Sequence, residues 1–325
     1  MAHLLITGAS GLLGGNLLMQ AIGSHQVTAL YHRHILQLNG VHSMGGDLSL
    51  PGEADRIMEN SKPDWIVHCA AASDVDDCER EPETAFRLNR DMARLVAQAA
   101  RDAEVRFIHI STDAVFDGAR GDYSESDPAN PINIYGQSKL EGEQAVMEVN
   151  PEALVVRTNF YGWSALPGKG LAEWFLANLE SGDDCYGFSD ISIAPILVTD
   201  LADLLLRMLQ KGLQGPYHVP GAECVSKHEF GVRLAKTFDL NSDGIRSASV
   251  QMAGLRAPRA HRLCLRGEKV EQDLGIRLPS LDEGLDRFMA QRESGYSEHL
   301  RILLGAAMAQ TMPGESRPGA VKKGQ

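Results

Sequence analysis

The stretch LLITGASGLLGGNLL, residues 4–18, sets Gly8, Gly11 and Gly14 at three-residue spacing between an apolar run and an amphipathic one. The spacing predicts a strand, a tight turn and a helix in direct succession. Gly8 allows the turn, Gly11 lets backbone approach a pyrophosphate, and Gly14 lets the helix lie close on the strand. The first N–H groups of the helix then face the phosphates, with the Thr7 and Ser10 hydroxyls beside them. Working outward, HLLIT (3–7), VTALY (27–31), WIVHCA (65–70), RFIHIS (106–111) and LVVRT (154–158) alternate with segments of helical length. That rhythm predicts an α/β fold, a Rossmann-type doubly wound parallel sheet. ETAFRLNRDMARLVAQAARDA (83–103) predicts the clearest crossover helix, with Phe86, Leu88, Met92, Leu95, Val96 and Ala99 recurring at three- and four-residue intervals.

Beyond residue 158 glycine and proline loosen the pattern, which predicts a smaller C-terminal substrate-binding lobe. The expected domains are 1–158, joined by about 190–212, then a discontinuous lobe over 159–305 and a disordered tail over 306–325. VTDLADLLLRMLQK (198–211) predicts a helix packed back on the sheet, with Thr199 as N-cap. Ser226 and Glu229 have the spacing of a capping box.

At 325 residues and 43% hydrophobic side chains the chain can bury a full core. No run reaches the roughly 18 apolar residues that span a bilayer, and MAHLLITGAS lacks the features of a signal peptide. The expectation is a cytoplasmic protein with no membrane partner. The net charge of −12, from 31 basic and 43 acidic residues, argues against nucleic acid as a partner. Five scattered cysteines without a C-x-x-C pair predict reduced, packed thiols. Asp74, Asp76, Asp77 and Glu79 read as a solvated helix start, so no metal is expected.

VTALYHRH (27–34) ends the second strand without the acid that an NAD site carries there. Arg33, between His32 and His34, instead suits a ribose 2′-phosphate and predicts NADP(H) as cofactor. Asp47 and Leu48 after one strand, and the small Ala70, Ala71 and Ala72 after another, suit a dinucleotide lying close to the backbone. With Leu12 these complete the expected cofactor set: Gly8, Ser10, Gly11, Leu12, Gly14, Arg33, Asp47, Leu48, Ala70, Ala71, Ala72, Tyr135 and Lys139. YGQSK (135–139) puts a phenol and an ammonium four residues apart, on one face of a helix. The spacing predicts that Lys139 lowers the Tyr135 pKa, so that the pair moves protons near neutral pH. Thr112, at the end of RFIHIST, adds a hydroxyl at the carboxyl edge of the sheet. Glycine loop, Thr112, Tyr135 and Lys139 together predict hydride transfer with Tyr135 as proton donor.

Through TGASGLLG and YGQSK the chain resembles the extended short-chain dehydrogenase/reductase superfamily. Within it, the chain resembles the dTDP-4-dehydrorhamnose reductase family. That likeness runs through CAAASDVDDCEREPETAFRLN (69–89), HISTDAVFDG (109–118), DPANPINIYGQSKLEGEQAV (127–146), VVRTNFYGW (155–163) and RAPRAHRLCLRGEKVEQDLGIRLPSLDEGLDRF (256–288). The resemblance implies reduction of the 4-keto group of a nucleotide-sugar substrate by NADPH, with Thr112, Tyr135 and Lys139 as the catalytic trio. It further implies that Asn89 supports the substrate site and that Val115 and Phe116 border the sugar, with Arg157, Asn159, Trp163 and Arg259 as further candidates for substrate contact, and leaves a homodimer open. Asp113 followed by Ala114 lacks the Asp-Glu pair of related 4,6-dehydratases, and the acid-free turn at residues 31–34 argues against an NAD-dependent epimerase. The competing reading is an NADP-binding regulatory subunit, because the β subunit of methionine adenosyltransferase resembles the same family.

Overall fold

The computed structural model describes residues 1–32, 40–165 and 170–306. Arg33, His34 and residues 307–325 of the expected tail lie outside the described residues. Seven strands form one parallel sheet: β1 (His3–Thr7), β2 (Gln26–Tyr31), β3 (His42–Gly45), β4 (Trp65–His68), β5 (Arg106–Thr112), β6 (Leu154–Thr158) and β7 (Gly215–His218). Their order is β7-β6-β5-β4-β1-β2-β3. The order reverses between β1 and β4, and a crevice opens at such a switch point, outside the carboxyl ends of the strands.

Alternation along each strand divides the core into two layers. Leu4, Ile6, Val27, Ala29, Val67 and Ile108 face α1 (Leu12–Ala21), and α8, named below, covers the same face. Leu5, Leu30, Ile66, Phe107 and Val155 face α2 (Glu53–Ser61) and the α5 and α6 helices that follow. Each fully buried aliphatic side chain contributes about 1.5–3 kcal/mol, so these two faces hold the site rigidly.

The expected crossover helix is interrupted. After α3 (Val75–Arg80), α4 (Pro82–Phe86) widens into a π-turn over Arg87–Asp91 before α5 (Met92–Asp102) resumes. α6 (Ile134–Val149) packs against this turn so closely that a Cβ on its Gly142 would stand 2.1 Å from Asn89 O. Only a glycine lets the two helices touch there.

α7 (Leu171–Ser181), α8 (Val198–Lys211) and α9 (Lys227–Thr237) follow. α8 lays Leu201, Leu205 and Met208 beside α1 on the sheet. Its N-cap is Leu197, not Thr199, whose hydroxyl accepts from Gln291 at 2.8 Å. Ser226 does cap α9 by accepting from the Glu229 N–H. The reading of five free thiols is corrected at two positions. The pair Ser192–Ile193 takes Val225–Ser226 on one side and Arg262–Leu263 on the other. Cys224 and Cys264 thus come together, Cα to Cα 5.5 Å, and form a disulfide. Cys69, Cys78 and Cys185 are free.

Candidate active site

The glycine loop follows β1 directly. Gly8 has φ +64°, and a Cβ there would lie 2.8 Å from Ala70 N; one on Gly14 would lie 2.3 Å from Gly8 O. Both approaches need glycine. Gly11 heads α1 with no side-chain cap, so the first N–H groups of the helix are left for a ligand. They open on a cleft of about 710 Å³, lined by Gly8, Ser10, Gly11, Leu12 and Gly14 from this loop. Asp47, Leu48, Ala70 and Ala71 line the same cleft, as do His32, Leu88, Met92 and Phe160. His32 stands 3.4 Å from the Asp47 carboxylate, whose pKa is lowered chiefly by its hydrogen bond from Ser49.

The backbone of Ala72 meets the Asn89 amide. Its N–H donates to Asn89 Oδ1 at 2.8 Å and its C=O accepts from Asn89 Nδ2 at 2.9 Å. Asn89, buried in the π-turn, also donates to Ser138 Oγ at 2.9 Å. One amide therefore ties the loop after β4 to the helix that carries Tyr135 and Lys139.

Asn133 caps α6 by accepting from Gly136 N and donates to Pro258 O at 3.0 Å. A Cβ on Gly136 would lie 2.2 Å from Ala114 O, so the first turn of α6 rests directly on the 3₁₀ turn Asp113–Val115 after β5. That contact brings Tyr135 beside Thr112. The Thr112 hydroxyl accepts from Ala114 N at 3.2 Å and donates to Asp113 Oδ1 at 3.1 Å. Asn159 holds the other Asp113 oxygen at 2.8 Å. Burial pushes Asp113 up to about 6, while Asn159, Thr112 and the Lys227 ammonium at the start of α9 oppose the shift.

Tyr135 is shifted the opposite way from the expectation. Burial pushes its pKa up to about 12, the Thr112 hydroxyl opposes this, and Lys139 is not among the groups that move it. Lys139 is buried and donates to Ile110 O at 2.7 Å, with His109 Nε2 at 3.3 Å. Burial brings the lysine down to about 8, against the pull of Glu143 one turn further along α6. Its four-carbon stem carries the charge to the end of β5.

The other expected substrate residues make contacts within the fold. Trp163 is buried, donates to Phe288 O at 3.0 Å and stacks on the Phe288 ring at 4.1 Å, which makes it core. Val115 and Phe116 are fully buried, and Phe116 stacks on Tyr123. They support the turn after β5 through packing. Arg259 pairs with Asp76 at 2.9 Å, so it ties α3 to the C-terminal segment. Arg157 is spent on Glu143 at 2.7 Å, where the Ser111 hydroxyl also donates. The buried Glu143, His68 and His109 are the groups that sequence reading passed over. Only the alternation of RFIHIST hinted that one face of β5 is polar at its end. Among the described residues no cluster could hold a metal ion, and no helix is long and apolar enough to cross a membrane.

A family model described as RmlD substrate binding domain matches residues 1–294. The probable low-salt glycan biosynthesis reductase Agl14 of Haloferax volcanii is 33% identical over 301 residues, 90% of this chain and 98% of that one. A dTDP-4-dehydrorhamnose reductase of Sinorhizobium fredii is 32% identical over 254 residues, 75% of this chain and 85% of that one. The crystal structure of the Bacillus anthracis dTDP-4-dehydrorhamnose reductase in complex with NADP superposes with a TM-score of 0.81 at 28% identity, covering 89% of this chain and 99% of that one.

Proposed function

The chain belongs to the RmlD substrate binding domain family, and on that premise we propose that it is an NADPH-dependent reductase of the 4-keto group of a nucleotide-activated deoxysugar. The substrate that fits best is dTDP-4-dehydrorhamnose, giving dTDP-L-rhamnose. The observation that carries this reading is the meeting of Thr112 and Tyr135, with buried Lys139 one helical turn on, at the carboxyl edge of a sheet whose switch point holds a glycine-lined cleft. Residues 1–158, with 190–212, form the cofactor half of the molecule, and 159–305 the lobe that takes the sugar.

The cleft suits a dinucleotide: Gly8, Gly11 and Gly14 leave no side chain between the backbone and a pyrophosphate, and the uncapped start of α1 offers N–H groups to it. Gly8, Ser10, Gly11, Leu12 and Gly14 hold the phosphates, while Asp47, Leu48, Ala70 and Ala71 border the rest. When bound, the nicotinamide supplies hydride to the carbonyl carbon. Tyr135 supplies the proton. A phenol held near pKa 12 keeps its proton at neutral pH, the form that the reductive direction starts from. Thr112 stands beside it as a second hydroxyl for the carbonyl oxygen. Lys139 brings a positive charge to the end of β5, where it binds the nicotinamide ribose.

The two nearby groups that titrate closest to neutrality set the pH range. Asp113 is raised to about 6 and loses its charge below that value; Lys139 is lowered to about 8 and loses its proton above it. A bell-shaped kcat/KM profile with limbs near those two values is expected from initial rates across pH. A plateau reaching the ordinary lysine value of 10.5 contradicts the assignment of the alkaline limb to Lys139.

The substrate assignment is tested by NADPH absorbance decay with dTDP-, UDP- and GDP-linked 4-keto sugars. The highest kcat/KM is expected for dTDP-4-dehydrorhamnose, and a higher value for another sugar overturns that choice. Tight NADPH binding with no decay on any sugar favours the regulatory reading instead.

A further inference from the structure

Three polar side chains stand in one row across the sheet, beneath the cleft. Thr7 on β1 is in register with His68 on β4, and His68 with His109 on β5. Thr7 Oγ1 lies 2.9 Å from His68 Nδ1 and accepts from Ala70 N at 3.2 Å. The two imidazoles stack at 5.8 Å with 23° between their planes. His109 Nε2 then reaches Lys139 Nζ at 3.3 Å. All of these side chains are buried.

The row leaves polar atoms unsatisfied. His68 Nε2 and His109 Nδ1 are buried without a hydrogen-bond partner, a state that native cores seldom tolerate. An apolar residue at 109 would remove one of these orphans and would match the apolar packing of Phe107 two residues earlier. What it would also remove is an acceptor for a buried ammonium. Lys139 has three N–H donors. Ile110 O takes one and His109 Nε2 a second, which leaves one for the cofactor ribose.

We propose that His109 is a positioning residue for Lys139: its neutral ring, with the Nε2 lone pair toward the ammonium, holds the lysine at the end of β5. Through His68 and Thr7 the same row joins the catalytic helix to the glycine loop. This rests on the functional reading above only for the role of Lys139. Burial and the Lys139 charge both keep His109 far below its ordinary pKa, so the ring is an acceptor throughout the working range. The other groups facing Lys139 are Glu143 on its own helix, Cys69 after β4, Cys78 on α3 and His68 on β4. Glu143 is already paired with Arg157, so its pull on the lysine is partly spent.

The test is a pH titration of the lysine resonances of the cofactor-free protein, labelled with ¹⁵N-lysine, in wild type, His109→Leu and His109→Gln. Losing a charge-assisted acceptor is expected to lower the Lys139 midpoint by about one pH unit in the leucine variant. The glutamine variant, whose side-chain carbonyl can replace Nε2, is expected to stay within about 0.3 units of wild type. In turnover the alkaline limb moves with the midpoint, and the NADPH KM rises several-fold in the leucine variant alone. A folded leucine variant with an unmoved Lys139 midpoint overturns the proposal. Should leucine prevent folding, His109→Asn, too short to reach Nζ, replaces it in the same comparison. Because the resonance is read without substrate or cofactor, an inactive protein with the predicted shift would refute the reductase reading and leave this one standing.

Discussion

Tyr135→Phe is expected to lower turnover by about 10²–10⁴-fold, the usual worth of a positioned general acid. The substitution removes one oxygen and little else. The ring keeps its place at the first turn of α6, held by the Asn133 cap and by the contact of Gly136 with Ala114. NADPH affinity is expected to change less than about twofold, because the phosphates are held by backbone of the glycine loop and not by the phenol. Stopped-flow absorbance gives the rate and fluorescence titration the affinity. A variant that reduces substrate at the wild-type rate removes Tyr135 from the chemistry, whatever its neighbours do.

Arg157→Met has the next largest effect, on stability. Glu143 and Arg157 are both buried, and their pairing is completed by the Ser111 hydroxyl and by His218, 3.5 Å from the guanidinium. Removing the arginine strands a carboxylate among β5, β6 and α6. Breaking such a pair costs about 3–5 kcal/mol, more than any surface ion pair here can contribute. Equilibrium unfolding in urea is expected to show a loss of that size, with most of it recovered in the double variant Glu143→Leu/Arg157→Met. A single variant as stable as the double would show that the carboxylate is not uncompensated. The uncompensated Glu143 charge also raises Lys139, so the alkaline limb of the rate profile should move upward in the single variant.

Much of the fold was legible because its signals are local. A glycine loop between a strand and a helix, and apolar runs at regular distances, depend on neighbours a few residues away. The same holds for the placement of Thr112 at a strand end and of Tyr135 and Lys139 on one helical face. What the spacing could not reveal was where a long side chain ends. Residues four apart share a face, yet Lys139 turns to Ile110 O and His109, and burial then outweighs any influence it has on the phenol.

Resemblance carried positions across and said nothing of side-chain direction. Trp163 sits at a plausible place after β6 but drops its indole onto Phe288, a residue 125 positions away. Val115 and Phe116 likewise turn inward at the turn that supports Asp113. The disulfide had no local signal, since Cys224 and Cys264 meet only because two distant segments flank Ser192–Ile193. The histidine row needed the register of three strands before His68 and His109 could be seen as neighbours. The interrupted crossover helix is a similar case: its periodicity is continuous in sequence, and the π-turn lies where Gly142 of another helix packs against Asn89.

Transfer of a labelled hydride tests the central claim most directly. The protein is incubated with NADPH carrying deuterium at the transferable position and with dTDP-4-dehydrorhamnose, and the product is read by NMR. The expected product is dTDP-L-rhamnose with one deuterium on C4 per NADPH consumed. NADPH that binds but is not consumed, or a product without deuterium at C4, contradicts the assignment of this chain as a 4-ketoreductase.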